Sequence, residues 1–220
     1  MRYILIFFMF FETLFSQNKP NYEEIKINIK NHYSNLYYPV LLKRFNDSDI
    51  TLTLNEINHI YYGYIYEKKI NEDDYLKLNE SINKLILPDG SVTQQNLDEY
   101  LNFVDLILEK YPISISYLNA KRIILEYQMK DQEAQLIDDK IMMIFFAINN
   151  SGDGLTEETA FHILDREDER HFLSFYNVIS DSYLTHPTKK IDVHLLEENE
   201  KMIEELYFNI EKTIFELKFN

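Results

Sequence analysis

The segment of this chain with the most chemical promise is Ser151-Gly152-Asp153-Gly154. It sets one carboxylate between two glycines in a sequence that has only four. Backbone amides around such glycines can form an anion-binding nest, and Asp153 with Glu157 and Glu158 has some of the acid content of a calcium loop. The stronger versions fail on detail. No lysine stands at P-loop spacing and no dinucleotide glycine pattern occurs. The alternating acids of a calcium loop are missing. Glycine also serves turns, so the bland reading of the segment is a structural joint. Arg44 and Asp49 are charged residues inside otherwise structural stretches. Arg44 is expected to be partly buried and to pair with Asp49 or Asp153, stapling the helical part to the joint. Tyr61-Tyr62-Gly63-Tyr64 can line a pocket or present a surface, or pack in the core with hydroxyls at its rim. The candidate binding residues are therefore Arg44, Asp49, Tyr61, Tyr62, Ser151, Gly152, Asp153 and Gly154.

Other reactive groups give less. His162 and His171 lie near Asp165, Asp168 and Glu169, the one dense set of possible metal ligands. Their spacing matches no known site type, and a solvated acidic turn accounts for them, so no metal or cofactor is assigned. Ser81-x-x-Lys84 has the serine-lysine spacing of penicillin-recognising enzymes, but it lies in a helical stretch without the accompanying Lys-Thr-Gly. No Gly-x-Ser-x-Gly elbow occurs. With no cysteine there is no disulfide, thiolate metal site or cysteine nucleophile. No catalytic residue is assigned.

The formal net charge of -15 comes without a stripe of Lys and Arg. A phosphate backbone is bound mainly by such a stripe, so nucleic acid is excluded as a partner, and an anionic membrane surface is disfavoured for the same reason. Met1-Arg2 followed by the apolar run from Tyr3 to Phe11 reads as a secretory signal peptide over residues 1–17. That run is too short to span a bilayer, so the mature chain is expected to carry no transmembrane segment. Export to the periplasm or exterior is the expectation.

The elements that would position these groups divide at the joint. Residues 18–150 have helical apolar spacing, and residues 151–220 bring alternation and a small β part packed on the helices as one globular unit. Asn21 with Glu24 opens a helix whose face carries Tyr22, Ile25, Ile29, Tyr33 and Leu36. Tyr37-Tyr38-Pro39 breaks it before a short segment at Val40. Thr53-x-x-Glu56 is a capping box for a helix with Leu54, Ile57, Tyr61 and Tyr64 inside. Further helical faces run through Tyr75 to Leu85, Leu97 to Leu108, Tyr117 to Tyr127 and Ile137 to Ile148. The last of these resemble a tetratricopeptide arrangement weakly, because no 34-residue repeat can be laid over them. Beyond a helix-ending Gly152, Thr156 is expected to cap a short helical turn over Glu157 and Glu158. Ala160 to Leu164 has strand length, Phe172 to Val178 fits strand or helix, and Ile191 to Leu195 and Leu206 to Ile210 alternate as an antiparallel pair. Ile214, Phe215 and Leu217 suit a short closing element. The fold class is α+β, mostly antiparallel helices followed by a small antiparallel β part.

Four segments in order resemble the domain of unknown function 4919 family of exported bacterial proteins. They are Arg44-Phe45 with Asp49-Ile-Thr51-Leu-Thr53; Tyr61-Tyr62-Gly63-Tyr64; Ser151-Gly152-Asp153-Gly154 with Thr159-Ala160-Phe161; and Leu206-Tyr207-Phe208-Asn209-Ile210. The resemblance implies export and a mostly helical fold with a small β part. It implies no reaction, substrate or catalytic residue. Two functional readings stand. One is a non-enzymatic module binding an envelope protein or small ligand through a concave helical face or the Tyr61 to Tyr66 surface. The other is a periplasmic enzyme with Asp153 and a nearby His or Arg as acid–base pair.

Overall fold

The computed structural model describes residues 19–214. The expected signal peptide, and Phe215 and Leu217 of the closing element, lie outside these residues. Among the described residues are nine α-helices and four strands, the helices almost all preceding the strands.

Local side-chain chemistry sets most helix ends. Asn21 accepts from the Glu24 amide and opens α1 (Tyr22–Asn28). The helix stops there rather than running on to Leu36. Asn31 accepts from the Tyr33 amide and Ser34 from the Leu36 amide, so short polar side chains take the hydrogen bonds a helix would need. Tyr33 is left wholly exposed. Pro39 does not break a helix but opens α2 (Tyr38–Asn46), since a first-turn residue needs no amide donor. Thr53 and Glu56 form the expected capping box on α3 (Leu54–Tyr61). Leu54, assigned to the inner face, is exposed. After the short α4 (Tyr64–Glu67) come α5 (Glu72–Asn83), α6 (Leu97–Lys110), α7 (Ile115–Tyr127) and α8 (Asp131–Asn150). Helix α7 packs on α6 and α8, and α8 also meets α3. The buried row Ile137, Ile141, Ile144 and Ile148 makes α8 the spine of the helical part.

Beyond α8 the chain forms β1 (Phe161–His162), α9 (Glu167–Phe175), β2 (Ser180–His186), β3 (Ile191–Leu196) and β4 (Glu205–Asn209). The sheet order is β1-β4-β3-β2. The expected pair of β3 and β4 is antiparallel, with Val193 opposite Tyr207. The sheet as a whole is mixed, because β1 runs parallel to β4 with Phe161 opposite Phe208. The ambiguous Phe172 to Val178 stretch is largely helix. Glu167, Asp168 and Glu169 occupy the first turn of α9, where acids suit the helix dipole, while Phe172 and Leu173 turn inward. Residues 155–159 form bends and a turn, not the short helix expected there; Thr156 accepts from the Thr159 amide. One hydrophobic cluster runs from Ile25 and Tyr61 through Ile144 to Phe172 and Phe208, joining the helices to the sheet.

Candidate functional site

The structure does not gather the residues singled out from the sequence into one site. Arg44 is partly buried. Its Nε donates to Asp49 Oδ2 at 2.7 Å, and its Nη1 pairs with Glu56. It braces α2 against the capping box of α3, and the expected staple to the joint does not form. Asp153 instead accepts from the Leu155 amide at 3.0 Å and the Thr159 hydroxyl at 2.5 Å. Tyr61 and Tyr62 are in the core, not on a surface. Tyr61 Oη donates to Asp168 Oδ2 at 2.6 Å and accepts from the Leu164 amide, while Tyr62 Oη lies 3.1 Å from the carbonyls of Ala147 and His162.

The joint is a junction of backbones. Ser151 Oγ donates to the Ile148 carbonyl and accepts from the His162 amide, tying the end of α8 to β1. Gly152 does not take the left-handed conformation expected of a helix stop; α8 ends on Ser151 in the right-handed region, and the left-handed residue is Gly154 in the turn beyond, at φ +69°. A side chain at Gly152 would instead be driven into the carbonyl oxygens of Thr159 and Ala160. The possible metal ligands are also dispersed. His162 faces Tyr22, His171 lies 2.9 Å from Ser116 Oγ, and Asp165 takes the Tyr111 hydroxyl. Among the described residues no group of three or more such side chains could hold a metal ion.

A different set of groups does converge. Between α9 and the β2–β3 ribbon lies a cleft of about 620 Å³. Leu173, Val178, Ile179 and Tyr183 give it apolar walls, and Arg166, Glu169, Ser180 and His194 also line it. Arg166 and Glu169 sit at the start of α9, three residues apart. Asp192 and His194 alternate with Ile191 and Val193 on β3, and the helix covers their side of the sheet. A register shift in β2 between Ser180 and Ser182 breaks the ladder opposite Leu195 and Leu196. Such bulges re-aim side chains, and here Ser180 Oγ sits 2.9 Å from His194 Nδ1. His194 Nε2 lies 2.7 Å from Glu169 Oε2. The imidazole is stacked on Tyr183 and set edge-on to Phe208. Asp192, with no exposed surface, pairs through Oδ2 with Arg166.

Burial governs the ionisation of this chain of groups. It pushes the Glu169 carboxyl up to about 9, with the charge of Asp192 and a hydrogen bond to Asp192 adding to the effect. Burial also holds His194 below the usual histidine value, against the opposing pull of Asp192. Among the described residues, Glu169 Oε1 and Asp192 Oδ1 meet no N–H or O–H donor, and the hydrogen bond that raises the Glu169 carboxyl joins it to Asp192. One proton held between the two carboxyls satisfies both oxygens, and two bare carboxylates would leave both unsatisfied at a cost of about 1–3 kcal/mol each. Glu169 Oε2 is then an acceptor, so His194 carries its proton on Nε2 and turns a bare Nδ1 lone pair to Ser180.

The sequence held a trace of this site. The clean alternation of Ile191-Asp-Val193-His-Leu195 reads as apolar in and polar out, yet both faces of the strand are buried at its first four positions. Only the placement of α9 over the polar face shows it.

The chain matches the domain of unknown function DUF4919 over residues 23–218. It belongs to this family. No curated protein and no solved structure matches it. The span that defines the family contains the whole chain of polar groups from Arg166 to His194, together with all four segments on which the resemblance rests.

Proposed function

We propose that this DUF4919 protein is an exported bacterial binding protein, and that the cleft between α9 and β2 holds a small organic ligand. The observation that carries the reading is convergence. Four polar side chains from three elements meet in one concavity with apolar walls, the usual make-up of a small-molecule site. The basic start and apolar run of residues 1–17, the lack of cysteine and the acidic balance support export, with periplasm or exterior as destination. The same acidic balance speaks against nucleic acid as a partner. The joint at Ser151 to Gly154 supports a site less well, since the Gly154 amide, Ser151 Oγ and the Asp153 carboxylate are already spent on neighbouring chain. The tetratricopeptide-like pairing of α6, α7 and α8 supports at most a scaffold role for the helices.

A fragment library screened by heteronuclear NMR tests the proposal. Hits are expected to shift resonances of Leu173, Ser180 and His194. They should be lost on Ser174→Trp, which fills the cleft from an exposed position on α9. Hits that map elsewhere, or that ignore Ser174→Trp, would overturn it.

A further inference from the structure

Holding a ligand does not require the linear order found at the cleft floor. Ser180 Oγ, the His194 ring and the Glu169 carboxyl follow one another at 2.9 Å and 2.7 Å, and all three line the cleft. Hydrogen-bond accounting leaves Nδ1 as a free base against the serine hydroxyl, whose other acceptor is the Ser182 carbonyl at 3.1 Å. We propose that Ser180 is a nucleophile that takes the acyl group of a small carboxylic ester, with His194 as its base and Glu169 as the residue that positions the imidazole. The proposal rests on the cleft being the ligand site. Roles and geometry, not ring-nitrogen labels or sequence order, define such a triad, and here Nδ1 faces the nucleophile and Nε2 the acid.

In the acylation step Ser180 Oγ forms a bond to the ester carbonyl carbon while its proton passes to His194 Nδ1 and the carbonyl π electrons move to oxygen. Asn177 and Arg170 also line the cleft and carry side-chain N–H donors, the Arg170 Nη2 being bonded to Glu167 at 3.0 Å. Collapse breaks the bond to the alkoxy oxygen, which leaves as the alcohol with the proton from Nδ1. Water then gives a proton to Nδ1 as it attacks the acyl carbon, and Ser180 leaves by taking that proton back, releasing the carboxylic acid. The apolar walls at Leu173, Val178, Ile179 and Tyr183 fit an aliphatic or aromatic group on the ester. The stack of His194 on Tyr183 keeps the ring from swinging away.

The test is an alkyl fluorophosphonate probe on the full folded protein, with the adduct mapped by peptide mass. One label per chain on Ser180 is expected. Ser180→Ala should lose it while keeping its melting temperature. His194→Ala should label about 100-fold more slowly or worse, the usual loss on removing a general base. Glu169→Gln can donate to Asp192 and still accept from Nε2, so it should label at close to the native rate, whereas Glu169→Leu should not. An unlabelled Ser180, or a rate indifferent to His194→Ala, overturns the nucleophile. If fragments still bind the cleft in that event, only this inference falls; if they do not, the cleft reading falls with it.

Discussion

At the residue scale, the unusual feature is the amount of acid taken out of water beside α9. Asp168 and Glu169 are both buried, and burial raises the carboxyls of both. This has a pH sign. Folded Glu169 holds a proton up to about pH 9, while the unfolded chain releases it near 4.5. The folded state therefore binds the extra proton between those values, and the stabilisation is complete below about 4.5 and lost as pH rises through about 9. Glu169→Gln needs no proton, so its melting temperature should exceed that of the native protein by a margin that grows from pH 5 to pH 9. A constant margin would show that Glu169 is ionised in the fold. His194 works in the opposite sense. Desolvation disfavours its cation, Arg166 does likewise, and Asp192 opposes them; Glu169, Ser180 and Tyr183 are its other polar neighbours. The neutral ring is the base, so the rate of probe labelling should reach half its maximum at a pH below 6.5.

At the element scale, the joint separates two uses of glycine that look alike in sequence. Gly154 turns the chain and Gly152 lets two carbonyls come close. Asp153 only ties a turn, since its bonds go to Leu155 and Thr159. Asp153→Ala should thus cost about 1 kcal/mol, the worth of an ordinary hydrogen bond, in urea denaturation. Gly152→Ala should cost about 3 kcal/mol, at the upper end for overpacking, because the atoms it meets are backbone and cannot rotate away. A larger loss at Asp153 would restore it as an anchor. The elements that were legible in sequence have local causes. Thr53 and Glu56 signal the start of α3 within four residues, and the isoleucine row announces α8 over three turns. Strand β2 was not legible. Ser-Asp-Ser-Tyr-Leu-Thr-His lies mostly exposed at the sheet edge, so it has no inner and outer face to imprint on the sequence. The cleft was illegible for a related reason. Its polar groups come from three elements, and each group alone passes for solvated surface.

At the scale of the whole molecule, a few buried hydroxyls connect the helices to the acid-rich end. Tyr61 on α3 reaches Asp168 on α9 and the backbone at Leu164, more than 100 residues away in both cases. Tyr61→Phe keeps the ring but leaves a buried carboxyl oxygen and a buried amide without that partner. It should cost about 2–3 kcal/mol in thermal denaturation, with the secondary structure retained by circular dichroism. A change below about 0.5 kcal/mol, the range of ordinary surface substitutions, would show that the link is dispensable. The strand order has a further consequence, for the timing of folding. Strand β4 is the latest strand in the described chain, yet it sits inside the sheet between β1 and β3. Until residue 209 is available, β1 has no neighbour, β3 has only β2, and Phe208 is missing from beneath the His194 ring. Helices α1 to α8 can form from local contacts while the chain is still emerging, but the sheet must wait for a pairing between residues distant in sequence, which is slow. A chain of this order can leave the ribosome with its helices formed while its four-stranded sheet is still incomplete.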